Sequence, residues 1–260
     1  GFSRRTAGRA STLNHPVCIK ENTGLWSVGP GISECAAKPQ AFIVHDPFAS
    51  GGLDVFALHP SDTRLEEALL FREKPDAEHY AAQHKAFVGA IRKCGIDIFY
   101  LGDLAGDQPS YQTTALNPNQ VFTRDSLITI PWIPHGYISA RMKPALRRAE
   151  AVTMAAAAKQ MGLSEIMAIP EELYLEGGDF VPFSREGRRT VLLGYGPRTR
   201  LETAFFLQQT MIPTYLDEII AIHLADYRIN LDGGLLPVTS EVVVSNQESI
   251  LETLLLDKHG

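Results

Sequence analysis

Leu173-Tyr174-Leu175-Glu176-Gly177-Gly178-Asp179 is the stretch on which the reading of this chain turns. A short apolar strand runs into two glycines flanked by acids. Paired glycines let backbone come close to a neighbour, so both carboxylates can point into one cavity. A plain turn explains Gly-Gly-Asp equally well. Upstream, Phe122-Thr123-Arg124-Asp125 adds another carboxylate, for which an ordinary surface ion pair with Arg124 is the simpler account. Downstream, His223 lies in the apolar run Ile222-His223-Leu224, where a satisfied core histidine competes with a catalytic one. As a set the three stretches suit a planar, permanently charged guanidinium. Asp125 and Glu176 can accept its N–H groups in forked geometry, and the same carboxylates would keep His223 protonated as a general acid.

Outward from that stretch the text alternates strand-like and helix-like segments. Ala41-Phe42-Ile43-Val44 reads as a strand, Glu66 to Arg92 as mostly helical with Gly95 as its stop, and Ile96 to Leu101 as a strand. The cycle repeats with strands at Gln120–Phe122 and Ser126–Ile130 and a helix from Pro144 to Met161 closed by Gly162. Strands follow at Leu173–Leu175 and Thr190–Leu193, then a helix at Thr199–Gln209. Further strands are expected at Glu218–Leu224 and Leu235–Val244, and a last helix at Glu248–Leu256. The pattern predicts an α/β protein built of similar units, although the units share too little identity to be called repeats. Residues 1–30 carry Gly29-Pro30 and no clear period, and read as an N-terminal extension.

The chain has 260 residues, 45% of them hydrophobic, enough for a large core, and a formal charge of -6 with no sustained basic run. Nucleic acid is therefore not an expected partner. Every apolar stretch is interrupted by charge, Gly or Pro, and Gly1-Phe2-Ser3-Arg4-Arg5 lacks the apolar region of a secretory signal, so neither a membrane span nor secretion is expected. Cys18, Cys35 and Cys94 are odd in number and irregularly spaced, which argues for a reducing, cytoplasmic setting. His79 and His84, five apart on a helix, do not share a metal-binding face, and no phosphate-cradling glycine loop or Gly-x-Ser-x-Gly elbow occurs. Arg147, Arg148 and Arg198 read singly as solvated helix-end charges, but together they suit an α-carboxylate.

Several stretches, in their order and spacing, resemble the arginine deiminase branch of the guanidino-group-modifying enzymes. They are Pro118-Asn119 before Phe122-Thr123-Arg124-Asp125, Met142 with Arg147-Arg148-Ala149-Glu150, and Glu176 to Asp179. Gly194-Tyr195-Gly196-Pro197-Arg198-Thr199 and His223-Leu224 complete the set. The superfamily also holds dimethylarginine hydrolases and amidinotransferases. The resemblance implies a pentein fold, a five-bladed pseudo-symmetric α/β propeller around a buried polar site, spanning residues 31–260 here with its last blade incomplete. It implies a cysteine thiolate attacking the guanidinium carbon of arginine or a derivative, with no metal or organic cofactor. Asp125 would bind guanidinium nitrogens, Glu176 would hold the guanidinium and assist proton transfer, His223 would be the general acid/base, and Asp179 would orient it. Asn119, Arg147 and Arg198 would hold the amino-acid end. A small guanidino compound is the expected partner, and a homo-oligomer is compatible with the family.

Two departures qualify that picture. The family's aspartate two residues after the histidine is Ala225 here, while Asp226 falls on the opposite strand face. The family's nucleophilic cysteine lies well beyond the histidine, whereas no cysteine follows Cys94. Three readings result: a deiminase-type hydrolase whose nucleophile lies outside these residues because the sequence is part of a longer enzyme, an amidinotransferase, or an inactive homologue that binds arginine-like ligands.

Overall fold

The computed structural model describes residues 39–58, 69–185, 187–239 and 242–259, so the expected extension over residues 1–30 and both Cys18 and Cys35 lie outside the described residues. Eleven strands are described: β1 (Ala41–Val44), β2 (Asp97–Tyr100), β3 (Leu127–Thr129), β4 (Gly136–Ser139), β5 (Ser164–Met167), β6 (Phe180–Arg185), β7 (Arg188–Tyr195), β8 (Glu218–Leu224), β9 (Leu235–Pro237), β10 (Val243–Ser245) and β11 (Ile250–Asp257).

Two stretches share one plan. In the first, β3 and β4 pair antiparallel, the helix Arg148–Gln160 crosses over, and β5 returns parallel to β4. In the second, β6 and β7 pair antiparallel, the helix Leu201–Met211 crosses over, and β8 returns parallel to β7. The repeat that sequence identity could not reveal is thus a backbone repeat, β-β-α-β. Part of a third such unit is seen where the helix Ala77–Lys93 links the parallel strands β1 and β2. That helix starts at Asp76, whose carboxylate accepts the His79 amide at 2.7 Å, and carries Arg92 and Lys93 in its last turn, favourable at the helix's negative end. Gly95 and Gly162 end the two long helices at φ 67 and 80, a conformation other residues rarely adopt, as their sequence positions imply.

One core joins the two complete units. Ile128 and Ile138 of the first pack with Phe180, Val191, Leu193, Ile219 and Ala221 of the second, and the crossover helix of the second unit adds Ala204, Leu207 and Met211 to the same cluster. Those three positions fall three and four residues apart, so they share one helix face. The opposite face of the second sheet packs Val181, Leu192, Ile222 and Leu224 against Leu231. Among the described residues no helix is long and apolar enough to cross a membrane.

Several expected elements are corrected. Glu248–Leu256 is not a helix: a short 3-10 turn, Gln247–Ser249, leads into β11, which pairs antiparallel with β8. Its leucines favour helix locally, but the free ladder edge of β8 offers every backbone group a partner and buries Leu256. Gln120–Phe122 is not a strand, because Pro118 opens a 3-10 turn capped by the Asn117 side chain on the Asn119 amide. Leu173–Leu175 forms only an isolated bridge between Leu175 and Arg141. The segment read as Leu235–Val244 is two short strands, β9 and β10, paired as a hairpin.

Phe180 is fully buried where the two units meet. Phe180→Ala should destabilise the protein by about 3–5 kcal/mol, measured as a shift in the urea unfolding curve at unchanged slope.

Candidate active site

The acids and arginines singled out in the sequence collect where the two units touch, and the topology explains why. Because β6 is antiparallel to β7, the start of β6 lies beside the end of β7, Phe180 pairing with Leu193. The start of β3 lies beside the end of β4 in the same way, Leu127 pairing with Ser139. Each unit therefore delivers an acidic segment before its first strand and an arginine after its second to one sheet end.

Contact between the two acidic segments is close. A Cβ at Gly177 would run into the Arg124 carbonyl, and one at Gly178 would come within 3.0 Å of Asp125 Oδ1. The glycine pair is required for this approach, which a simple turn would not demand. Arg124 fastens the junction by donating to the carbonyls of Gly177 at 3.0 Å and Phe180 at 3.4 Å.

In the first unit, Arg147 is buried and has its donors committed. Its Nε donates to both oxygens of Glu150, one terminal nitrogen donates to Asp125 Oδ2 at 2.9 Å, and the other donates to Glu150 Oε2 at 2.8 Å and to the carbonyls of Asn119 and Phe122. Burial opposes its charge, but hydrogen bonding and attraction from Glu150, with Asp125 adding to both, outweigh it and hold the guanidinium above its usual pKa. Glu150 is fully buried and also accepts from Asn117 and Ser126. The sequence places Arg147 at the amino-acid end of a ligand; in the fold it braces Asp125. Asn119, expected at the same end, is buried with its side-chain amide donating to Leu69 O at 2.8 Å and to Asn117 Oδ1.

In the second unit, Glu176 is fully buried and accepts from Arg198 at 3.3 Å on each oxygen, from the Lys143 amide at 3.1 Å and from Asn230 Nδ2 at 3.3 Å. Among the described residues only one terminal nitrogen of Arg198 is engaged, so Arg198 keeps donors for a carboxylate. Asp179 accepts from the Thr199 hydroxyl at 2.7 Å, the Leu231 amide at 2.9 Å and Asn230 Nδ2 at 3.1 Å. Burial nevertheless pushes its pKa up to about 7, against those hydrogen bonds and with Glu176 adding repulsion. Asn230, which carries no signal in the sequence, thus ties Glu176 to Asp179.

His223 stands apart from this network. Asp179 Oδ1 lies over Gly194 with Leu224 and Leu231, on one face of the second sheet. His223 lies on the other face, stacked on its register partner Tyr195 with ring centroids 4.8 Å apart, and its Nδ1 lies 3.7 Å from Glu252 Oε1 of β11. The orienting role expected of Asp179 is therefore not its geometry; Glu252 is the carboxylate that His223 meets. Tyr195 donates to the same Glu252 oxygen at 2.6 Å, and burial, reinforced by that bond, pushes the phenol up to about 12. Glu252 escapes sequence reasoning because its segment reads as a helix. Cys94 is exposed at the end of the helix Ala77–Lys93, outside the carboxylate cluster. Among the described residues no three His, Cys, Asp or Glu side chains group as a metal site would require.

Two β-β-α-β units thus pool carboxylates and guanidinium groups at one sheet end of an α/β protein. The profile of the arginine deiminase family matches residues 107–255, more than half of the chain, and the chain belongs to that family. Among solved structures it is similar to ArgZ, an arginine dihydrolase from the ornithine-ammonia cycle in cyanobacteria, with a TM-score of 0.55 and 19% identity over 81% of this chain and 26% of ArgZ. It is also similar to a cysteine variant of AgrE in complex with L-arginine, with a TM-score of 0.57 and 15% identity over 82% of this chain and 28% of AgrE. A dimethylarginine dimethylaminohydrolase adduct with 4-chloro-2-hydroxymethylpyridine gives a TM-score of 0.52 and 20% identity over 76% of this chain and 65% of that enzyme. The chain thus spans about a quarter of the full-length ArgZ and AgrE chains it resembles. No curated protein sequence matches it.

Arg147→Met would leave Glu150 buried and uncompensated, and should cost about 3–5 kcal/mol in urea unfolding. The Asp179 shift carries a definite sign. Its folded pKa of about 7 exceeds the ordinary value of 3.8, so the folded state holds the proton more tightly. That contribution to stability is complete below roughly pH 4 and is lost as pH rises to about 7. Asp179→Asn should remove this decline, so unfolding free energies compared at mildly acidic and neutral pH should fall more for the parent protein than for the variant. Parallel profiles would show that Asp179 is not held protonated.

Proposed function

We propose that this protein is a deiminase-type guanidino-group hydrolase acting on arginine or an arginine derivative, built as a five-unit closed α/β propeller around the carboxylate cluster. The observation that carries the reading is that the site's own guanidinium groups already occupy its acids, Arg198 on Glu176 and Arg147 on Asp125. A pocket whose carboxylates accept arginine side chains in this way is matched to an arginine side chain arriving as ligand. The closed form is supported by β11, whose Leu251, Leu254 and Leu255 are exposed at a sheet edge with no partner strand among the described residues.

In the proposed reaction a cysteine thiolate, which the cluster itself does not contain, attacks the guanidinium carbon. The tetrahedral adduct expels ammonia or an amine as the leaving nitrogen takes a proton, and water then adds to the thiouronium and releases the ureido product and the thiolate. Asp125 and Glu176 hold the guanidinium nitrogens, Asp179 supports Glu176 through Asn230, and Arg198 takes the amino-acid carboxylate with Asn119 and Arg147 bracing its surroundings. Glu176 exchanges the protons, since His223, expected to do so, lies beside Tyr195 and Glu252 on the other sheet face. Cysteine-substituted ArgZ and AgrE have been crystallised with substrate and with L-arginine respectively, which fits a thiolate route in relatives of this fold.

A second reading, a homologue that binds arginine-like ligands without turnover, is favoured by the position of Cys94 and by Ala225. An amidinotransferase would differ in passing the amidino group to an amine in place of water. Calorimetry with L-arginine, alongside assays for citrulline and for amidino transfer, separates the three. Binding should be measurable in each case, and Glu176→Gln should weaken it at least ~10-fold by removing a charge-assisted acceptor. Unchanged affinity in that variant would overturn the guanidino reading.

A further inference from the structure

The carboxylate expected two residues after His223 is absent, and Ala225 there is buried with its amide donating to Ser249 O at 3.0 Å. Immediately afterwards the chain turns, Arg228 N donating to Ala225 O at 2.8 Å, and folds back over the acidic junction. Asn230 and Leu231 bond to Asp179, and the Asn230 Cβ lies 2.9 Å from where a Cβ of Gly178 would stand. Asp125 Oδ1 lies 3.0 Å from the same point, so Asn230 and Asp125 flank one glycine.

Further along the same segment, Asp232 is carried to the same junction. Its Oδ2 is 3.6 Å from Arg124 Nε, longer than a hydrogen bond, and 32% of its side chain is open to solvent. Burial raises its pKa, Arg124 pulls it down, and Asp125 raises it again, so the two acids sense each other's charge. Asp125 gives Oδ2 to Arg147, and no side-chain donor among the described residues meets its Oδ1. The junction therefore offers two partly free carboxylates from separate segments, Asp125 beside Gly178 and Asp232 beside Arg124. A cation lodged between them offsets their like charge, and a guanidinium with two forked edges suits two such acceptors.

We propose that Asp232 supplies the second carboxylate of the guanidinium clamp, opposite Asp125, in place of the one lost at Ala225. The proposal rests on the guanidino reading of the site and assigns the specificity determinant that the sequence lacked. Because Asp232 comes from the fold-back segment rather than from β8, the ligand is gripped from the side of Asn230.

Calorimetry with L-arginine on the parent protein, Asp232→Asn and Asp232→Glu tests it, with thermal unfolding of each as a control. Asp232→Asn should weaken binding at least ~10-fold at little change in melting midpoint, whereas Asp232→Glu, which keeps the charge, should retain most of the affinity. Affinity of Asp232→Asn within about twofold of the parent overturns the proposal and leaves the guanidino reading standing. A loss of affinity in Asp232→Asn accompanied by a lower midpoint assigns Asp232 to bracing Arg124 and also overturns it. Absence of arginine binding by the folded parent overturns both.

Discussion

Compensation of buried negative charge by guanidinium groups is the constraint on which this structure depends. Glu150 and Glu176 are wholly removed from water and Asp179 nearly so. An isolated carboxylate in such surroundings would cost many kcal/mol or be forced to take a proton. Arg147 answers Glu150 and Asp125, and Arg198 answers Glu176. Asp179 has three donors but no facing cation, and burial drives it towards the neutral form. On the proposed reading the same physics that stabilises the site would equip it for a cationic ligand, since a guanidinium entering from solvent would meet acceptors already aligned for one.

The two complete units meet this constraint in the same way. Each places an acid shortly before its first strand, Asp125 before β3 and Glu176 before β6, and an arginine after its second, Arg147 after β4 and Arg198 after β7. Antiparallel pairing of the first two strands brings those positions to one end of the sheet, so each pair forms within its own unit. The glycines at 177 and 178 then let one unit's acidic segment press on the other's, merging two small ion pairs into one polar centre. Tyr195, His223 and Glu252 form a separate cluster on the other sheet face, which depends on β11 being a strand.

Much of this was legible in the sequence. The β8 boundaries, the crossover helices and their glycine stops follow from apolar periodicity and backbone preference, which are local quantities. The acids Asp125, Glu176 and Asp179 and the arginines Arg147 and Arg198 were identifiable by type and spacing, and they do converge. Their partners were less legible. Arg147 looks like a ligand-binding arginine in the sequence and is a brace in the fold, because nothing local reveals that Glu150 and Asp125 will both be within reach. Glu252 was hidden by leucine-rich text whose helical preference lost to an open ladder edge. Asp232 carried no signal, because its importance comes only from the chain folding back.

The sequence by itself determined the α/β class, the crossover helices and the acidic and cationic groups available, because each rests on side-chain chemistry and short-range backbone preference. Only the tertiary structure decided which guanidinium faces which carboxylate, which sheet face His223 occupies, and that Asn230 and Asp232 join the acidic junction. Those outcomes depend on distances between segments remote along the chain, where charges interact according to separation in space and solvent exclusion rather than position in the polypeptide.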